Sequence, residues 1–110
     1  MSQEANTTEA LYCGGYLLAQ RKLLREASAI FRMMITVAPN DARGWIGLGF
    51  CHEGLNQMEV AKRLYATGIV VAEDPEPCKR SLASLEQKME HEQATRVVGR
   101  RISLFGARAV

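Results

Sequence analysis

The chain repeats itself at an interval of 34 residues. Displaced by 34, Leu11 falls on Trp45, Gly15 on Gly49, Ala27 on Ala61, Phe31 on Tyr65 and Ile35 on Ile69. Gly14 falls on Leu48, a weaker match. Every one of the other pairs keeps its size class. A unit of this length cannot bury its own apolar face, so consecutive units must stack on one another. The small residues Gly15, Ala27, Gly49 and Ala61 suit places where helices cross closely. Leu11, Phe31, Trp45 and Tyr65 suit the wider gaps between crossings, so each copy reads as a packed helix pair.

Local signals set the helix limits. The first helix is predicted over about 8–20, with Thr7 or Thr8 and Glu9 as its start signal. The second is predicted over 24–37 and ends before Pro39. "APNDA" is a turn in which Asn40 or Asp41 caps a third helix over 42–54. "GLNQ" turns the chain into a fourth helix over 58–72, stopped by Pro75 and Pro77. A fifth helix is predicted from about 76 to 98, with Leu82, Leu85 and Met89 three and four apart. The expectation is an all-α fold of two helix pairs and a C-terminal capping helix. The expected divisions are a flexible segment 1–7, units 8–41 and 42–75, the cap 76–98 and a basic tail 99–110.

Composition narrows the function classes. A chain of 110 residues with 47% apolar content suits one folded domain. A net charge of +2 is too small to argue for nucleic acid. The charge is uneven, however: Glu4 and Glu9 stand near the start with no base. From Thr95 onward, Arg96, Arg100, Arg101 and Arg108 stand with no acid. The opening "MSQEANTTEA" lacks a basic region followed by an apolar run, so no secretory signal is expected. No window approaches the roughly 20 apolar residues of a membrane span. Cys13, Cys51 and Cys78 are odd in number and widely spaced, which points away from a disulfide framework and toward a reducing cytoplasm.

The period and the residues Trp45, Leu48, Gly49, Ala61 and Tyr65 resemble the tetratricopeptide helix pair. In that register the first helix of each pair lines a concave side. Glu9, Tyr12, Tyr16, Ala19 and Gln20 fall there in the first copy, and Arg43, Ile46, Phe50 and Glu53 in the second. Tyr12, Tyr16, Ile46 and Phe50 are large and apolar or amphipathic where a solvated surface would carry charge, which reads as a peptide-binding groove. The alternative is that these rings pack against the N-terminal segment or a second copy of the chain.

Catalysis is not expected. Neighbours on a helix point about 100° apart, so Cys51, His52 and Glu53 do not converge on one atom. Cys78 and His91 offer no metal-ligand spacing. No glycine-rich nucleotide loop is present, and Gly47 and Gly49 read as helix-contact glycines. No catalytic residue, metal or cofactor is therefore assigned. The tail "RVVGRRISLFGARAV" has two readings. It is an amphipathic basic helix for a membrane surface or acidic partner, or an end that folds back on the last helix.

The stretch "NDARGWIGLGFCHEGLNQMEVAKRLYATGIVVAEDPEP" resembles the second repeat of the class II type III secretion chaperones. Asp41, Ala42 and Arg43 match a D-A-R entry, with Trp45 and Ile46 as the two bulky residues. Gly47, Leu48, Gly49 and Cys51 match the G-L-G-x-C core. Asn56, Gln57 and Met58 match the turn, Ala61 and Tyr65 the A-x3-Y, and Asp74, Glu76 and Pro77 the acidic-proline exit. The likeness covers about 11–77. It implies a bacterial cytoplasmic chaperone that holds a secreted client as a peptide in its concave groove. The family usually carries three repeats, so this chain is also similar in size to the small chaperones of needle subunits. The implied partners are a translocator or needle subunit, a co-chaperone and a second copy of the chain. A scaffold or assembly adaptor built on the same repeats is the alternative.

Overall fold

The computed structural model describes residues 3–109. The elements are α1 Gln3–Gln20, α2 Leu24–Val37, α3 Ala42–Gly54, α4 Met58–Val71 and α5 Glu76–Ala109. Among the described residues there is no strand, so the fold is all-α. Each helix packs on the next in chain order, and α1 also meets α3, and α3 meets α5. Among the described residues no such approach joins α2 to α4. The odd-numbered helices therefore form an inner row, and the even-numbered ones spread behind it.

The same turn is built twice. Lys22 and Asn56 lie 34 apart and both take left-handed backbone, with φ of 66° and 61°. The Leu23 N–H donates to the Leu18 carbonyl at 2.9 Å, and the Gln57 N–H to the His52 carbonyl at 2.8 Å. The Lys22 and Asn56 N–H groups donate to Ala19 and Glu53 carbonyls, each at 3.0 Å. These bonds satisfy carbonyls that a helix end otherwise leaves open, and the left-handed residue reverses the chain.

The glycine–aromatic contact also recurs. A Cβ on Gly15 would lie 2.8 Å from Phe31 Cζ, and one on Gly49 would lie 2.6 Å from Tyr65 Cζ. The ring occupies the volume that a side chain would need, so each helix pair closes on glycine against an aromatic face. Ala19, Ala27, Phe31, Met34, Leu48 and Cys51 form the larger core cluster, and Ala61, Tyr65 and Leu85 a second one toward α5.

Aspartates start two of the helices. Asp41 Oδ1 accepts from the Arg43 N–H at 3.0 Å and starts α3. Asp74 Oδ1 accepts from the Glu76 N–H at 3.1 Å and starts α5. The Glu73 N–H donates to the Asn40 carbonyl at 2.8 Å, tying the two loops together.

Two boundaries differ from expectation. Helix α1 begins at Gln3, ahead of the expected start near Thr8, so residues 3–7 of the segment expected to be flexible are helical. No proline or glycine interrupts that stretch, and Thr7 Oγ1 donates back to the Gln3 carbonyl at 2.9 Å. Helix α5 runs past Val98, the expected end, through Gly99 to Ala109. Gly99 and Gly106 cost about 1 kcal/mol each, too little to end a long helix with no proline beyond its first turn. Residues 1, 2 and 110 lie outside the described residues.

Candidate functional site

A groove of about 610 Å³ opens between α1 and α3. Tyr12, Tyr16, Ala19 and Gln20 line it from α1, and Arg43, Ile46 and Phe50 from α3. Phe31 of α2 forms its floor beneath Gly47. Of the inner-face candidates, Glu9 and Glu53 do not line this groove. Glu9 sits beyond its rim, paired with Arg43. Glu53 lies in an adjoining cleft of about 410 Å³ between α3 and α5, which shares Ile46 and Phe50 with the first.

The walls are held by polar contacts at their rims. Arg43 Cζ sits 4.7 Å from the Tyr12 ring centroid, within cation–π range. Arg43 Nη2 also donates to Glu9 at 2.7 Å and to Asp41 Oδ2 at 2.8 Å, and its Nε donates to Asp41 Oδ1 at 3.1 Å. The hydrogen bond from Arg43 holds both carboxyls below their ordinary range, and the two carboxylates raise the Arg43 guanidinium in turn. Arg43 is thus a braced part of the wall, not a free cation. The Tyr12 and Tyr16 rings lie 6.1 Å apart, tilted by 39°, and Gln20 Nε2 donates to the Tyr16 hydroxyl at 3.2 Å. Tyr16 and Phe50 remain 49% and 50% exposed, so their rings are open to a partner.

In the second cleft, Glu53 accepts from the Tyr65 hydroxyl at 2.5 Å and from Lys88 Nζ at 3.2 Å. Burial first, and then the Glu53 carboxylate, push the Tyr65 hydroxyl well above its ordinary range, so it stays a neutral donor. This link joins α3, α4 and α5. Sequence periodicity gave no sign of it, because the three residues belong to three different helices.

The Cys51–His52–Glu53 triplet separates in space. Cys51 is fully buried in the core, where desolvation pushes its thiol up to about 11. That thiol is a packing group, not a nucleophile. His52 Nδ1 lies 2.6 Å from Gln57 Oε1 at the α3–α4 turn, and Glu53 faces the inner side. All three cysteines are free, with Cys13 exposed. Among the described residues no group of His, Cys, Asp and Glu is placed to hold a metal, and no helix is long and apolar enough to cross a membrane.

Sequence reasoning missed Lys22, which lines the groove because the α1–α2 turn places it at the rim. The signal lay in the repeat: its counterpart Asn56 sits in the recognisable "GLNQ" turn. No family model, curated protein or solved structure matches the chain.

Proposed function

We propose that this chain is a tetratricopeptide-type chaperone that shields an apolar segment of a secretion-system protein, a translocator or needle subunit, in the bacterial cytoplasm. The observation that carries the reading is the groove between α1 and α3, where Tyr16 and Phe50 stand half exposed above a floor of Phe31. Recurrence of the turn and of the glycine–aromatic contact at an interval of 34 supports the repeat assignment. The mechanism is burial without turnover. Fully covering a large apolar side chain is worth about 1.5–3 kcal/mol, so covering the open halves of two rings gives a similar sum. The walls are braced before a partner arrives, which limits the ordering cost of binding.

Co-expression with translocator and needle subunits is the test. Tyr16→Ala combined with Phe50→Ala should keep the helical circular-dichroism spectrum and lose the client from the pull-down. A double variant that still co-purifies with its client, or a wild-type chain that leaves every such subunit insoluble, overturns the proposal. An assembly adaptor is the second reading, favoured by α5: residues 90–100 are all exposed, so this helix carries surface away from the packed body. An adaptor would bind its machine without raising the solubility of a secreted subunit.

A further inference from the structure

The inner face changes character at fixed register positions. Tyr12, Ile46 and Arg80 succeed one another at intervals of 34 on α1, α3 and α5, and so do Tyr16, Phe50 and Ser84. The row that is aromatic on α1 and apolar on α3 thus becomes basic and hydroxylic on α5. All of these side chains line the two adjoining clefts, which meet at Ile46 and Phe50. Lys88 adds a second cation on the α5 wall, with its side chain 65% exposed.

The acids of this face are already engaged. Glu9 and Asp41 pair with Arg43, and Glu53 is held by Tyr65 and Lys88. Arg80 is exposed, and no ion pair with it is formed among the described residues. Arg80 and Lys88 thus outnumber Glu53 at the α5 wall, next to the apolar groove, and Lys22 is a further cation at the far rim by the α1–α2 turn. From these placements we infer that the occupant is a single polypeptide segment with bulky apolar side chains at one end and carboxylates at the other. It lies across the inner row, with its apolar end between α1 and α3 and its acidic end against Arg80 and Lys88. This rests on the groove reading above and specifies its client chemistry.

Charge argues against the chain's own tail as occupant. From Thr95 onward it holds four arginines and no acid, the wrong sign for the α5 wall. Complementary charge at such a rim speeds encounter and fixes the direction in which the segment lies.

The probe is an array of random synthetic peptides incubated with labelled full-length protein. Retained peptides should combine an aromatic or aliphatic cluster in one half with Asp or Glu in the other. Arg80→Glu removes an exposed side chain that forms no ion pair among the described residues, so the fold should stand. It should abolish the acidic preference, keep the apolar one, and weaken the best acidic peptide about fivefold at low salt. In about 0.5 M salt, where the Debye length is only a few ångströms, that difference should close. Retained peptides without acidic enrichment, or an enrichment that Arg80→Glu leaves intact, overturn the inference while leaving the groove reading in place. Binding of no peptide at all by the wild type overturns both. A wild-type dimer in sedimentation that Arg80→Glu dissociates would assign the site to a second copy's acidic N-terminus and overturn the client assignment.

Discussion

Gly49→Ala tests the packing argument most directly. A Cβ at this position would lie 2.6 Å from Tyr65 Cζ and 2.8 Å from Cδ1, and nearer still to Cε1. Carbon atoms rest at about 3.5–4.0 Å, so the ring would have to retreat by about 1 Å. It has little room, because Tyr65 is 2% exposed and its hydroxyl is fixed by Glu53. Overpacking of this kind costs about 1–3 kcal/mol, and this site belongs at the upper end. Replacing a helical glycine by alanine returns about 1 kcal/mol of propensity. The net expectation is a loss of about 2 kcal/mol. For a domain of this size that is a fall in Tm on the order of 10 °C. Gly14→Ala is the matched control. Its Cβ would sit 3.9 Å from Ile30 Cγ2, an ordinary contact, so only the propensity gain remains. Urea unfolding followed by the fluorescence of Trp45, the single tryptophan, measures both variants. The two alanines should differ by about 3 kcal/mol in opposite directions. If Gly49→Ala matches or exceeds the wild type, or if Gly14→Ala falls as far, the close glycine–aromatic crossing does not hold this fold together.

Lys22→Gly should stabilise the protein by about 1 kcal/mol in the same urea assay, since a non-glycine residue at φ 66° pays a left-handed penalty that glycine avoids. Asn56→Gly should give less, because asparagine tolerates this backbone better. For Asp41, pairing with Arg43 depresses the folded carboxyl below its ordinary value near 3.8. Its contribution is therefore complete above about pH 5 and is lost as pH falls through the depressed value. Asp41→Asn keeps a cap acceptor but not the charge, so its Tm should lie below wild type at neutral pH and converge with it in acid. A variant whose Tm equals that of the wild type at neutral pH would show that the ion pair contributes nothing.

Much of the helical layout was legible because apolar spacing and proline stops are local properties. Pro39 marks the end of α2, and Asp41 caps α3 as one of two expected candidates. The groove candidates came from the period, which carries Tyr12 and Tyr16 onto Ile46 and Phe50, together with the tetratricopeptide resemblance, which put those helices on a concave side. What escaped was long-range or weakly signalled. The bonds from Tyr65 and Lys88 to Glu53 depend on how α4 and α5 lie across α3. Lys22 is an uncommon residue for left-handed backbone, so its turn shows in the sequence only through Asn56. The ends of α1 and α5 were placed too far inward for a common reason. Start and stop signals such as Thr8 and Gly99 permit a boundary, but only a proline or a competing hydrogen bond enforces one.

The groove and the repeat packing are one structure seen from two sides. Phe31 fills the space that Gly15 leaves on α1 and that Gly47 leaves on α3, where a Cβ would lie 2.8 Å and 2.5 Å from its Cζ. The same ring, 2% exposed, is the floor on which a partner would rest. A floor clamped between two helix backbones cannot fold upward to cover Tyr16 and Phe50, even though covering them would be favourable. Above it, Arg43 of α3 packs on Tyr12 of α1 and ties the two walls, while Gln20 holds the Tyr16 hydroxyl within α1. Among the described residues, the outer halves of Tyr16 and Phe50 therefore stay uncovered. The stiffness that makes the helix pairs stack also keeps the rings open, which is the condition that the proposed client binding requires.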